Sequence, residues 1–239
     1  MTPLDFAYEH YGRNIATVEC LQKQPMPFDT YFDLRLRPEP DIPSCDRLGR
    51  LWHLVHVAGA RSETAFAVAF PQWMRNGFGF GDILRVFTAD SARAEALYDA
   101  LEQMPQAPDL AEGSRVRRAH PSDAFEAFLM HRIPSGISKH RKTVSLERAQ
   151  ALHQESLRRR IAQQQQLPFV RMRSSSGNAF RLVVERIVAN PDQQGAPNGY
   201  GLSRTSQIVA LPVVAEKDGK DRANLRARED GSMCEKSGS

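Results

Sequence analysis

The chain has 239 residues, a formal net charge of +4 and 41% hydrophobic content, enough for one large domain or two small ones with a packed core. No apolar run reaches the roughly 18 residues of a membrane-spanning helix. The first ten residues lack the basic, then apolar, then small-residue order of an export signal, so a cytoplasmic protein with no membrane partner is expected. Cys20, Cys45 and Cys234 are too few and too scattered for a disulfide framework or a metal cluster.

Residues 1–28 carry Phe6, Tyr8 and Tyr11 without a clean period and read as an N-terminal extension. From Thr30 to Arg37, Phe32, Leu34 and Leu36 alternate with Asp33, Arg35 and Arg37, the period of a half-buried strand. Pro38 and Pro40 end it. Ser44 or Asp46 can cap a helix running to about Val57, with Leu48, Leu51, Trp52 and Val55 repeating at three and four residues. Gly59 opens a loop. A second strand is expected over Thr64–Phe70, stopped by Pro71. Gly77, Gly79 and Gly81 lack the spacing of a dinucleotide-binding loop and read as backbone freedom in a turn. A third strand over Asp82–Thr88 is followed by a helix over Ser91–Met104, with Ala94, Leu97, Tyr98, Leu101 and Met104 inward. A fourth strand over Ser114–Arg118 completes the order strand, helix, strand, strand, helix, strand. The fold class expected is therefore α+β. An N-terminal ferredoxin-like (RRM-like) domain covers residues 29–119. The sheet face of that fold commonly binds RNA, although fold by itself does not establish function.

A second domain, over residues 120–214, starts near His120-Pro121. A strand is expected over Ala124–Ile133, then a turn at Pro134-Ser135-Gly136 and a basic segment from Ile137 to Lys142 that begins a helix. A further helix over Ser145–Gln166 places Leu146, Ala149, Leu152, Leu157 and Ile161 on its apolar side. Residues 139–160 hold seven Lys or Arg against two Glu, a net +5, where a polyanion would find them. Phe169–Arg173 and Phe180–Ile187, joined by Ser-Ser-Ser-Gly-Asn at 174–178, read as a β-hairpin. Arginines on its strands, Arg173 and Arg181 among them, serine hydroxyls in its turn and Phe180 just past the turn are the components of an RNA-binding surface. An ordinary surface hairpin with solvated arginines has the same composition. A last strand is expected over Ser206–Val214. Residues 215–239 balance six basic against six acidic residues, have few apolar ones, and are expected to be disordered.

Four motifs in order carry a resemblance. They are Tyr31-x-Asp33-x-Arg35-Leu36-Arg37-Pro38-x-Pro40; Phe66-Ala-Val-Ala-Phe70-Pro71; Leu167-Pro-Phe-Val170 with Arg173-Ser174-x-Ser176 and Phe180-Arg-Leu182; and Tyr200-Gly-Leu-Ser203. Together they resemble the CRISPR-associated endoribonucleases that cut precursor CRISPR RNA at its repeat hairpin, specifically the type I-F subgroup. The resemblance implies a catalytic histidine in the helix after the first strand. His53 and His56 both lie there, and counting from the flanking motifs favours His56. A histidine that merely packs is the commoner fate of a lone one. The serine and tyrosine of the family map to Ser174 and Tyr200. The turn is one residue shorter than the family's form, so Ser174 and Ser176 can exchange roles. Phe180 maps to the aromatic that stacks on the foot of the RNA stem. Lys139, Arg141, Lys142 and Arg148 stand where the family carries an arginine-rich helix in the stem's major groove, here with fewer arginines. Arg158–Arg160 either add to it or form a solvated face. Arg132 maps to a strand arginine that reads a base edge, with Pro134 where a polar partner is expected.

The activity implied is metal-independent cleavage by attack of the 2′-hydroxyl, with no cofactor and no metal site. The partners implied are the CRISPR repeat RNA hairpin and the other subunits of a crRNA-guided complex, with the enzyme retained on its product. Two other readings fit the residues: a catalytically inactive RNA-hairpin-binding subunit of such a complex, and an unrelated basic ferredoxin-like protein that binds RNA generally.

Overall fold

The alternation of Phe32, Leu34 and Leu36 produces strand β1 (Thr30–Leu36), whose inward residues are buried and whose Arg35 is exposed. The computed structural model describes residues 28–75, 79–120, 123–133, 145–173 and 177–214. After β1 come α1 (Ser44–Arg61), β2 (Ala67–Ala69), β3 (Ile83–Thr88), α2 (Ser91–Glu102) and a short α3 (Ala107–Leu110). The fourth strand is split into β4 (Ala111–Gly113) and β5 (Arg117–Arg118), both paired antiparallel with β1. The split falls at Ser114, whose Oγ accepts the Asp33 N–H that a continuous ladder would have used. The sheet order is β2-β3-β1-β4, with Phe32 opposite Val86 and Val68 also opposite Val86. That is the ferredoxin-like arrangement.

Two helix boundaries differ from the sequence reading. The N-cap of α1 is Pro43, with no side-chain cap bond; neither Ser44 nor Asp46 caps it. The helix also runs through Gly59 to Arg61, because Gly59 answers to packing there. A Cβ at Gly59 would lie 2.6 Å from the Phe66 ring. By contrast, α2 starts as its sequence requires, with the Asp90 carboxylate accepting from Arg93 N–H at 2.8 Å.

The second half contributes β6 (Phe125–Met130), α4 (Leu146–Gln164), β7 (Phe169–Arg173), β8 (Ala179–Ala189) and β9 (Leu211–Pro212). They form a second antiparallel sheet in the order β7-β8-β6-β9, and β7–β8 is the expected hairpin. The last strand is shorter than Ser206–Val214. Residues 195 and 210 instead bond the loop strand-to-strand through Gly195 N to Ile208 O and Ala210 N to Gln193 O. The apolar side expected for α4 is largely uncovered: Ala149 is its buried residue, while Leu146 and Ile161 are exposed. Ser145 caps that helix.

One hydrophobic core runs through both halves, from Tyr31 to Leu211. Its seam is aromatic. Phe70, at the end of β2, lies 5.2 Å from Trp52 of α1, 4.5 Å from Phe80 and 5.1 Å from Phe128 of β6. The outer face of the first sheet is not an open RNA platform at its centre. Tyr31 and Phe87 are buried there, and Arg85 grips Asp33 with two bonds of 2.7 and 2.9 Å while donating to Val214 O. Residues 1–27, 134–144 and 215–239, with the expected extension, turn, basic helix start and tail, lie outside the described residues.

Candidate active site

Helix α1 holds the centre of the site because it touches both sheets. On one flank its leucines fill the core under β1 and β3. On the other, Gly49 lets the β7 backbone come directly against the helix: a Cβ at 49 would sit 2.0 Å from the Arg171 carbonyl oxygen. The hairpin is therefore seated on the helix that carries His56, two turns beyond Gly49.

His56 is half-buried near the end of α1. Its Nδ1 lies 2.5 Å from the Gly199 carbonyl oxygen. A carbonyl can only accept, so Nδ1 carries the hydrogen and Nε2 keeps the lone pair in the neutral ring. The Tyr200 ring lies against the imidazole, with centroids 4.7 Å apart and planes tilted by 33°. Phe180, from the second residue of β8, follows at 6.3 Å from Tyr200. Three residues far apart in sequence thus form a row: Phe180, Tyr200, His56. His53 lies 6.3 Å from His56, one turn back, and has no contact with Tyr200 or Gly199 among the described interactions.

The segment presenting Gly199 and Tyr200 is held rigidly. The Asn198 side-chain oxygen accepts from the N–H groups of Tyr200 (2.8 Å) and Leu202 (3.2 Å). The buried Trp52 indole donates to the Tyr200 carbonyl at 2.8 Å. Gly201 O accepts from Val68 N–H, and Ser203 N–H donates to Phe128 O. The loop is tied at once to α1, β2 and β6.

The hairpin register places Arg171 opposite Arg181 and Met172 opposite Phe180. Like charges facing each other across a strand pair are destabilising unless each is compensated. Here Arg171 reaches Asp46 of α1 at 3.3 Å, and the Arg181 guanidinium lies 3.8 Å over the Phe169 ring. Arg173 is exposed at the end of β7 and carries no ion pair among the described residues; Arg132 and Arg148 are likewise exposed. At the other end of α4, the fully buried His131 ring joins β6 to the helix. Its Nε2–H donates to the Arg160 carbonyl at 3.1 Å, and its Nδ1 faces the Arg160 guanidinium at 3.3 Å and Glu185 at 3.5 Å. So Arg160 is committed to structure, whereas Arg158 and Arg159 point outward.

Of the residues singled out from sequence, the fold brings His56, Tyr200 and Phe180 together, with Arg181 and Arg173 on the same hairpin. Arg132 and Arg148 lie on β6's C-terminal side and the first turn of α4. Ser174, Ser176, Lys139, Arg141 and Lys142 lie outside the described residues. Sequence reading missed Gly49, Trp52, Asn198 and Gly199. An Asn-Gly pair just before Tyr200 signals a side-chain-capped turn, so Asn198 was legible; the others act through partners over a hundred residues away. Among the described residues, no group of three or more His, Cys, Asp or Glu is placed to hold a metal ion. Cys45 is a free thiol that burial, and then the adjacent Asp46, push above its ordinary pKa.

Two comparisons with known proteins bear on the chain. The family model described as "CRISPR-associated protein (Cas_Csy4)" matches residues 31–213. A curated relative from Pseudomonas aeruginosa (strain UCBPP-PA14), the "CRISPR-associated endonuclease Cas6/Csy4", is 31% identical over 187 residues, covering 74% of this chain and 96% of the relative.

Proposed function

The chain belongs to the CRISPR-associated Cas_Csy4 family, and from that premise we propose that it is an endoribonuclease that cuts precursor CRISPR RNA at the repeat hairpin without a metal ion. The observation that carries the reading is the setting of His56. Its Nδ1 is occupied by Gly199 O, its ring is held against Tyr200, and its Nε2 is left to move a proton beside an arginine-bearing hairpin. Imidazole is the side chain suited to acid or base work near neutral pH.

In the proposed reaction the 2′-hydroxyl upstream of the cut attacks the phosphorus in line. The bond from phosphorus to the 5′-oxygen breaks, leaving a 2′,3′-cyclic phosphate and a 5′-hydroxyl. His56 Nε2 takes the proton from the 2′-hydroxyl or, as imidazolium, delivers one to the departing 5′-oxygen. Tyr200 orients the imidazole, and Ser174 holds the ribose, with Ser176 its alternate. Phe180 stacks on the foot of the stem. Arg132, Arg148, Arg173 and Arg181, with Lys139, Arg141 and Lys142, supply contacts to the RNA. The protein stays on its product as a subunit of a crRNA-guided complex.

The test is cleavage in EDTA of a panel of repeat hairpins carrying a ribose or a 2′-deoxyribose at the cut site, with wild type and His56→Ala side by side. Wild type should cut one hairpin and leave the deoxy form intact. His56→Ala should lose about 10²–10⁴-fold in rate, the worth of general acid–base catalysis, and still bind. Equal cutting by His56→Ala would move the assignment to His53. A repeat bound tightly and never cut would identify an inactive binding subunit.

A further inference from the structure

Asp46, Gly49, His53, His56 and Ala60 follow one another along α1 at spacings of three and four residues, which keeps all five within an arc of about 80°. Four of them meet the second half of the chain. Asp46 pairs with Arg171 at 3.3 Å, Gly49 lies against the Arg171 carbonyl, His56 bonds Gly199 O at 2.5 Å, and Ala60 lines a cavity with Pro197 and Asn198. His53 is bracketed by these contacts. It stands between the seat of the hairpin at Gly49 and the 197–200 loop at His56. The core of α1 does not use it, since the buried side chains of the helix are Leu48, Leu51, Trp52, Val55 and Ala58. The imidazole is half-buried, and its nitrogens have no hydrogen bond or ion pair among the described residues. Its ring neighbour is His56, with centroids 6.3 Å apart and planes tilted by 46°.

We propose that His53 is a second catalytic residue, the general acid that protonates the departing 5′-oxygen while His56 is the base. The inference rests on the proposed function in one respect: the scissile phosphate lies at His56. In an in-line displacement the entering and leaving oxygens stand on opposite sides of the phosphorus. A single imidazole whose Nδ1 is held by Gly199 has one nitrogen left and serves one of those oxygens at a time. His53, one turn away and about 4.5 Å along the helix axis, supplies the second proton-transfer group. The bond from the 2′-oxygen to phosphorus forms and the bond from phosphorus to the 5′-oxygen breaks. The 2′-hydroxyl proton passes to His56 Nε2, and the imidazolium of His53 gives its proton to the 5′-oxygen. Exchange with water then returns both rings to their starting states, and the partial exposure of His53 keeps that route open. A base and an acid on one helix, fixed by its geometry, need no metal ion.

The test uses the full chain and two forms of the cleaved hairpin, one with the natural 5′-oxygen at the cut and one with sulfur in its place. A thiolate leaves without a proton, because a thiol has a pKa of about 8.5, so the sulfur hairpin does not need the acid. In single-turnover cleavage in EDTA, His53→Ala and His53→Gln should each lose about 10²–10⁴-fold on the oxygen hairpin. On the sulfur hairpin both should come within about threefold of wild type, which also shows that the variants are folded. His56→Ala should be impaired on both. Wild type should give a bell-shaped dependence of rate on pH with the oxygen hairpin, and His53→Gln should lose the fall on the alkaline side alone. Equal losses on both hairpins would make His53 a structural residue, and no loss on either would remove it from the reaction. Rescue of His56→Ala by sulfur would reverse the two roles. Each of these results overturns the assignment while cutting by wild type in EDTA upholds the nuclease reading. If wild type cuts neither hairpin, both fall.

Discussion

Replacing Gly49 by alanine separates two physical effects of opposite sign. Gly49 is interior to α1, where alanine is favoured over glycine by about 0.8–1.0 kcal/mol through backbone entropy. Considered as a helix position alone, Gly49→Ala should stabilise. The structure predicts the reverse. The new methyl would stand 2.0 Å from the Arg171 carbonyl oxygen, and real Cβ contacts essentially never fall under 3.0 Å, so α1 and β7 must part by at least 1 Å. The obstacle is backbone, which cannot rotate away. Overpacking of this kind costs about 1–3 kcal/mol, leaving a net loss of up to about 2 kcal/mol after the propensity gain. For a chain of this size that lowers Tm by up to about 8 °C. The Asp46–Arg171 ion pair across the same contact is too exposed to resist the separation, since such pairs contribute about 0–1 kcal/mol. The parting also moves Phe180 and the Arg173 end of the hairpin away from His56. A misplacement of 1 Å can cost about 10²-fold in rate. The assay is a thermal melt together with single-turnover hairpin cleavage far below Tm. A higher Tm with an unchanged rate would refute the claim that this glycine sets the distance between catalytic helix and hairpin.

Two further outcomes are expected. Asn198→Ala leaves the Tyr200 and Leu202 N–H groups without their acceptor, at about 1–3 kcal/mol. It should slow cleavage while the affinity for an uncleavable hairpin changes little, and Asn198→Asp, which keeps the acceptor, should restore the melting temperature; no such rescue would mean the loop is held some other way. Glu126 is a pH-sensitive group. Burial raises its carboxyl pKa above the ordinary value, more than Arg186 at 2.6 Å and Arg85 lower it. A carboxyl raised in the folded state binds its proton more tightly folded than unfolded. Its contribution is thus fully present below the unfolded pKa and lost as pH rises through the folded one. Glu126→Gln, which fixes the neutral form, should therefore raise Tm at pH 7 and leave it nearly unchanged at pH 4. A lower Tm at pH 7 would show that the Arg186 pair outweighs the burial.

The elements were legible where one local rule governs them. β1 alternates, α2 repeats Ala94, Leu97 and Leu101 at three and four residues, and the runs 169–173 and 180–187 flank a turn-forming sequence, and these strands and the helix fold as those signals require. What was not legible depends on distant partners. A glycine at 59 reads as a loop until Phe66 is known to lie against it, and a glycine at 49 reads as a weak helix position until β7 is known to touch it. Periodicity along α4 identifies an apolar face but not what covers it, and Leu146 and Ile161 remain exposed. In the site, composition marks His56 and Tyr200 no more strongly than His53 or Tyr98. Their pairing came from motif resemblance, and the 2.5 Å bond to Gly199 that sets the imidazole tautomer came from the fold.

The arginines show why charge counting could not have outlined the RNA surface. Arg85 is buried on Asp33, Arg118 pairs with Asp29, Arg160 with Glu185, Arg171 with Asp46 and Arg186 with Glu126. Each has its counter-charge within the protein, and the buried Arg85 holds elements together, whereas the exposed Arg118 and Arg171 pairs add little to the fold. Arg132, Arg148 and Arg173 carry no ion pair among the described residues, and Arg181 rests on an aromatic face with its edge donors outward. Arg50, Arg61, Arg158, Arg159 and Arg204 are also exposed without an ion pair among the described residues, but the proposed RNA contacts are the first four. They sit on β6's C-terminal side, on the first turn of α4 and on the hairpin that α1 holds in place beside His56. A Gly49→Ala displacement would shift Arg173, Arg181 and Phe180 together and leave the imidazole behind on α1.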